Sequence, residues 1–127
     1  MEWVTIVALV ALLEYMFFGF RVGSARGQYN IEAPATTGNE MFERVYRIHQ
    51  NTLEQLIVFL PGLFAFASYV HPLWAAGIGL VFVVGRVVYA TGYQADPKKR
   101  GTGMMLSFIP SAVLVIGGVI GAAWKLF

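Results

Sequence analysis

Arg44, Arg47, Asn51 and Glu54 follow one another at spacings of three, four and three residues. On an α-helix, at about 100° per residue, they fall within a sector of roughly 80°. Two guanidinium groups, an amide and a carboxylate would then share one helix face. Guanidinium groups hold carboxylates through charge-assisted hydrogen bonds, and a carboxylate holds an amine. Such a set suits a small ligand carrying both kinds of group. A second set, Arg86, Tyr89 and Tyr93, stands at i, i+3 and i+7 in an otherwise apolar stretch. An arginine there is costly unless it faces a bundle interior or a watery cavity. Each residue also has a structural reading: Glu54 pairing with Arg86 to join two helices, and the tyrosines as interfacial aromatics. Together they make a basic pocket, which structural pairing does not require.

These residues need elements to position them. Of 127 residues, 57% are hydrophobic and 13% charged, with a mean hydropathy of +0.64. Soluble domains carry roughly a quarter charged residues, and a chain this short has too little interior for so many large apolar side chains. The surplus must face something apolar, and a bilayer is the simplest candidate. Four apolar runs stand out, Trp3–Phe20, Leu53–Val70, Leu73–Ala90 and Met104–Trp124. About 20 helical residues cross a hydrocarbon core. The runs are continuous rather than alternating, and backbone in lipid must be internally bonded, so helices are expected rather than strands.

The pattern predicts an all-α integral membrane four-helix bundle in a single domain, residues 1–127, with helices over about 2–25, 39–70, 73–95 and 103–126. The first run is longer than a signal-peptide core and follows Glu2 rather than a basic segment, so it reads as a retained helix. Gly27, Pro34 and Gly38 mark a first loop, His71-Pro72 a tight turn, and Asp96-Pro97 a third connection. The second helix would be about 48 Å long at 1.5 Å per residue, so its polar first third should leave the lipid. Pro61-Gly62 predicts a bend in it. Arg21, Arg26, Arg44 and Arg47 cluster around the first connection, and Lys98, Lys99 and Arg100 on the third. Basic loops stay in the cytoplasm, which places both connections there, on a bacterial inner membrane or an endoplasmic reticulum.

Several classes are excluded or disfavoured. The chain has no cysteine, so any sulfur chemistry must come from a ligand. A net charge of +2 gives no nucleic-acid footprint. No pair of histidines or carboxylates has metal-ligand spacing, and no metal is expected. His49, nearly opposite Arg47 on its helix, suits a hydrogen bond to a neighbouring subunit, and His71 a solvated turn. Glu14, midway along the first helix, has two readings: the carboxylate of a small proton-coupled exporter, or a protonated group at a subunit contact, the latter being favoured. Gly117 and Gly121 form a small-xxx-small pattern for close helix packing.

The run from Phe42 to Glu54 resembles the signature of the MAPEG family, membrane-associated proteins in eicosanoid and glutathione metabolism. Val84 to Tyr93 resembles the family's third-helix motif, and His49-Gln50-Asn51-Thr52-Leu53-Glu54 is most similar to the microsomal glutathione S-transferase 3 branch. The likeness covers nearly the whole chain, including Ser24-Ala25-Arg26 and Pro34 to Gly38. It implies a homotrimer with glutathione held between neighbouring subunits near the cytosolic side. It further implies a glutathione transferase, with possible peroxidase activity, acting on lipophilic small molecules dissolved in membrane lipid. By matched positions, Arg26 and Arg47 would hold glutathione carboxylates, and Asn51 and Glu54 its γ-glutamyl end or backbone. Tyr89, Tyr93 and His49 join the glutathione-binding set, Arg44 and Arg86 support it, and Arg100 would face the thiol as the catalytic cation. Two departures bear on substrate. Leukotriene-forming members carry an arginine where Gly27 stands and a tyrosine where Gln55 stands, which argues against leukotriene synthesis. The family also includes a non-catalytic lipid-binding scaffold, the principal alternative; the exporter reading rests on Glu14 alone.

Overall fold

A computed structural model describes residues 1–127. Four long helices follow one another: α1 (Glu2–Tyr29), α2 (Glu40–Tyr69), α3 (Pro72–Ala95) and α4 (Gly101–Trp124). A single 3-10 turn, Pro97–Arg100, precedes α4. All four helices are long and apolar enough to cross a membrane.

Local chemistry explains most of the boundaries. Asn39 is extended (φ −153°, ψ 129°) and its Oδ1 accepts the Phe42 N–H at 3.0 Å, which starts α2. Glu40 and Glu43 then lie at the positive end of the helix dipole. Asn39→Ala is expected to lower stability by about 1 kcal/mol, read as a lower Tm in detergent; an unchanged Tm would mean that the cap contributes nothing. His71, expected to be merely solvated, caps α3: its Nδ1 accepts the Leu73 N–H at 3.1 Å, ahead of Pro72. Asp96 caps the 3-10 turn in the same way, with Oδ1 accepting the Lys98 N–H at 3.0 Å.

One helix runs past its expected end. α1 continues to Tyr29, past residue 25, and stops where Asn30 turns left-handed (φ 56°, ψ 46°). Gly27 does not end it, because a glycine costs a helix only about 1 kcal/mol. Arg21 and Arg26 therefore sit on its last turns rather than in a loop. α2 runs through Pro61 as one unbroken element to Tyr69.

The main core runs from mid-bundle towards the α2–α3 turn, with Val4, Ala8, Leu56, Leu63 and Leu114 clustered with a stacked Phe59–Phe82 pair (centroids 3.9 Å apart). The outward faces are apolar, with Leu13, Phe20, Ile57, Phe108 and Ile120 all exposed. In lipid such faces gain nothing from leaving the solvent, so close packing must hold the helices together. Gly117 and Gly121 supply it where α4 meets α2: an added Cβ would lie 2.6 Å from the Phe66 ring and 3.0 Å from Tyr69. The first and third connections lie at one end of the bundle. There Arg44 donates to the Gln94 and Ala95 carbonyls at 2.9 and 3.3 Å, and Arg21 donates to the Gln94 side chain.

Candidate functional site

Near that end, four elements contribute to one cavity of about 270 Å³. α2 supplies Arg47 and Asn51, α3 supplies Tyr89 and Tyr93, the 3-10 turn supplies Arg100, and α4 supplies Met104. The tyrosine rings, one helical turn apart, stack with centroids at 5.6 Å and 19° between planes. Larger grooves elsewhere, between α1 and α3 and along α2 and α4, are lined almost wholly by aliphatic side chains. The cavity differs from them in gathering two guanidinium groups, two phenols and an amide.

A buried arginine braces its wall. Arg86 is fully buried, and its Nη2 donates to Asn51 Oδ1 at 2.7 Å and to Thr52 Oγ1 at 3.1 Å. Its guanidinium also lies 4.3 Å from the centroid of the Tyr89 ring. An amide that accepts on Oδ1 from a fixed cation has its orientation set, which leaves its NH2 donors for the cavity that Asn51 lines. Arg86 does not pair with Glu54, as the structural reading of those two residues had it. Glu54 instead meets Arg47 at 3.8 Å, where both side chains are more than half exposed (59% and 54%). An ion pair that exposed is worth little to stability, so Arg47 remains available to a competing carboxylate.

Other residues singled out from the sequence lie elsewhere in the chain. Arg26 donates to the Ala35 carbonyl at 2.8 Å and the Ile31 carbonyl at 3.4 Å, with its guanidinium 5.0 Å from the Phe42 ring. It ties the first connection to α1. Arg44 shares a helix face with Arg47 but reaches the C-terminal carbonyls of α3, and it pairs with Glu40 at 2.6 Å. A cation suits the negative end of a helix. His49 stacks on Tyr15 with centroids 4.4 Å apart, wedged between α2 and α1. The expected shared face of α2 thus delivers Arg47 and Asn51 to the cavity and sends Arg44 away from it. Met104 and Thr52 were not anticipated. Met104 is one apolar residue within an apolar run, and Thr52 has no charge to mark it.

Four membrane-length helices with a basic, phenol-lined cavity near one end define a polytopic membrane protein with a polar cavity. A family model for MAPEG matches residues 4–120, and the chain belongs to the MAPEG family. It is 44% identical over 124 residues to an uncharacterized protein of Synechocystis sp., covering 98% of this chain and 90% of that protein. It is 37% identical over 117 residues to microsomal glutathione S-transferase 2 of Homo sapiens, covering 92% of this chain and 80% of the human protein. Leukotriene C4 synthase of Bos taurus is 35% identical over 94 residues, covering 74% of this chain and 63% of the bovine one.

Proposed function

We propose that this chain is a membrane-bound glutathione transferase that joins glutathione to lipophilic electrophiles dissolved in the bilayer. It would work as a homotrimer with its first and third connections in the cytosol. The observation that carries the reading is the cavity itself, where Arg47, Asn51, Tyr89, Tyr93 and Arg100 converge. Arg47 would bind a glutathione carboxylate, with Glu54 beside it for the γ-glutamyl amine. The Asn51 amide would donate to the peptide backbone, and the phenols would line the tripeptide's path. Arg100 would face the sulfur. A thiol becomes a good nucleophile when it ionises, and a neighbouring guanidinium favours the ionised form. The thiolate attacks an electrophilic carbon, a C–S bond forms, the leaving group departs with its electron pair, and the thiol proton passes to solvent. Arg26 and His49, which lie outside the cavity of their own chain, would serve a ligand shared with a neighbouring subunit.

The location of the cavity fits such a reaction. An anionic tripeptide arrives from water, while its partner arrives sideways from lipid. A lipid-binding scaffold on the same fold would have no need for a cationic site facing a thiol. Gly27 stands exposed, and an added Cβ there would meet nothing. The missing second arginine is therefore not a steric matter, and leukotriene formation is not part of the proposal.

The test uses the full chain purified in detergent. Added glutathione should give thiolate absorbance in the near ultraviolet, native mass measurement should show a trimer, and an activated aromatic chloride should be conjugated with release of chloride. A trimer or a monomer that gives neither thiolate nor conjugate would end the proposal.

A further inference from the structure

Two charged side chains deep in this bundle carry buried polar atoms without a hydrogen bond. Both carboxylate oxygens of Glu14 on α1 are buried without a hydrogen bond, and so are Nε and Nη1 of Arg86 on α3. The two lie at one level of the bundle, each one helical turn from the small cluster of Phe18, Ile48, Tyr89 and Ala90. No direct ion pair joins them.

The register of the helices explains how they come to share a level. Phe18, Ile48, Tyr89 and Ala90 form one small apolar cluster between α1, α2 and α3. Stepping four residues along from Phe18, Ile48 and Ala90, towards the middle of the membrane, gives Glu14, Thr52 and Arg86. One further step of three or four residues gives Ala11, Leu56 and Phe82 with Val83, all in the main core. A single polar layer thus lies between two apolar ones. An unpaired ion in such surroundings costs several kcal/mol, and a buried guanidinium needs a counter-charge to stay where it is. Thr52 and Asn51 satisfy one nitrogen of Arg86 and bring no charge.

We propose that Glu14 is the counter-ion of Arg86 and, through it, a positioning residue for the glutathione site. Arg86 touches Asn51 and Tyr89, which line the cavity, and Glu14 would act on them through Arg86. Glu14 touches no ligand. It fixes the guanidinium that fixes the amide and the ring. This rests on the proposed function in one respect, that the cavity takes glutathione.

A double-mutant cycle on the full-length protein in detergent tests it, using Glu14→Gln, Arg86→Gln and the two together. Glutathione affinity is read from thiolate absorbance, and conjugation rate is read at saturating glutathione. Each single change is expected to weaken glutathione binding about tenfold, as for residues sharing one network. For Glu14→Gln the rate at saturation should stay near that of the unaltered protein, because Arg100 is intact. The double variant should bind no worse than Arg86→Gln alone. Losses that multiply in the double variant, or a Glu14→Gln protein that binds like the unaltered one, would overturn the proposal. Should a single variant fail to fold, the charge-balanced double variant decides: recovery of folded trimer supports the pair, and continued failure overturns it. If the unaltered protein binds no glutathione, the reading of function falls, and the positioning role falls with it. Normal binding with an additive cycle removes the role of Glu14 alone.

Discussion

Arg100→Ala is expected to abolish the thiolate signal at neutral pH and to lower kcat/KM for conjugation by about a hundredfold or more, the usual cost of removing a group that stabilises reacting charge. A free thiol ionises near pH 8.5, so a few per cent is thiolate at neutrality. A cation beside the sulfur lowers that value, and each unit is worth about 1.4 kcal/mol. The sign follows directly. Below the bound thiol's pKa the rate rises with pH, and removing the cation shifts that rise to higher pH. The variant should therefore recover activity in alkaline solution, which a misfolded protein would not do. Magnitude adds a second expectation. Arg100 is exposed on the single chain, and two charges 4 Å apart interact by about 1 kcal/mol in water but about 4 kcal/mol at an effective dielectric of 20. A large effect on the thiol thus requires the site to be enclosed by ligand and a neighbouring subunit. Detergent conditions that dissociate the proposed trimer should weaken the thiolate signal even with Arg100 in place. A strong signal from Arg100→Ala, with an unmoved pH profile, would remove this residue from the mechanism.

The architecture was legible because a bilayer imposes its thickness on the sequence. Four apolar runs of spanning length, broken by Pro34 and Gly38, His71-Pro72 and Asp96-Pro97, correspond to four membrane-length helices. Gly27 marks a loop in the sequence pattern, yet α1 continues past it to Tyr29, because one glycine is a small cost to a long helix. In the site, periodicity brought Arg47 and Asn51 to one face, and Tyr89 and Tyr93 to another. It could not say where a long guanidinium would go. Arg44 and Arg26 found backbone carbonyls within reach, at the end of α3 and in the first connection, and turned towards them. Glu14 shows the other limit. α1 is apolar on almost every face, so its sequence carries little information about its rotation. Only the packed bundle shows that the Glu14 carboxylate is buried without a hydrogen bond, and that Arg86 donates to Asn51 and Thr52 while Glu54 meets Arg47.

The cavity's shape depends on a glycine that does no chemistry. Gly103, buried in the first turn of α4, lies so close to α3 that an added Cβ would overlap the backbone nitrogen and Cα of Tyr89 and its Cβ. Backbone cannot swing aside as a side chain can, so Gly103→Ala must force α3 and α4 apart. Overpacking of this kind costs about 1–3 kcal/mol, occasionally more, and a clash with backbone belongs at the upper end. The same displacement would carry Met104 and Arg100, one and three residues away, from the tyrosine wall opposite them. Loss of the thiolate signal should therefore accompany a lower Tm in detergent. Gly101 provides the internal comparison two residues earlier: it is exposed, and a Cβ there meets nothing. Gly101→Ala should leave Tm unchanged or raise it slightly, since alanine narrows the unfolded ensemble by about 0.4–1 kcal/mol. If the two variants unfold at the same temperature and bind glutathione alike, the approach of α4 to Tyr89 does not set the site, and the cavity must owe its form to contacts made by another subunit.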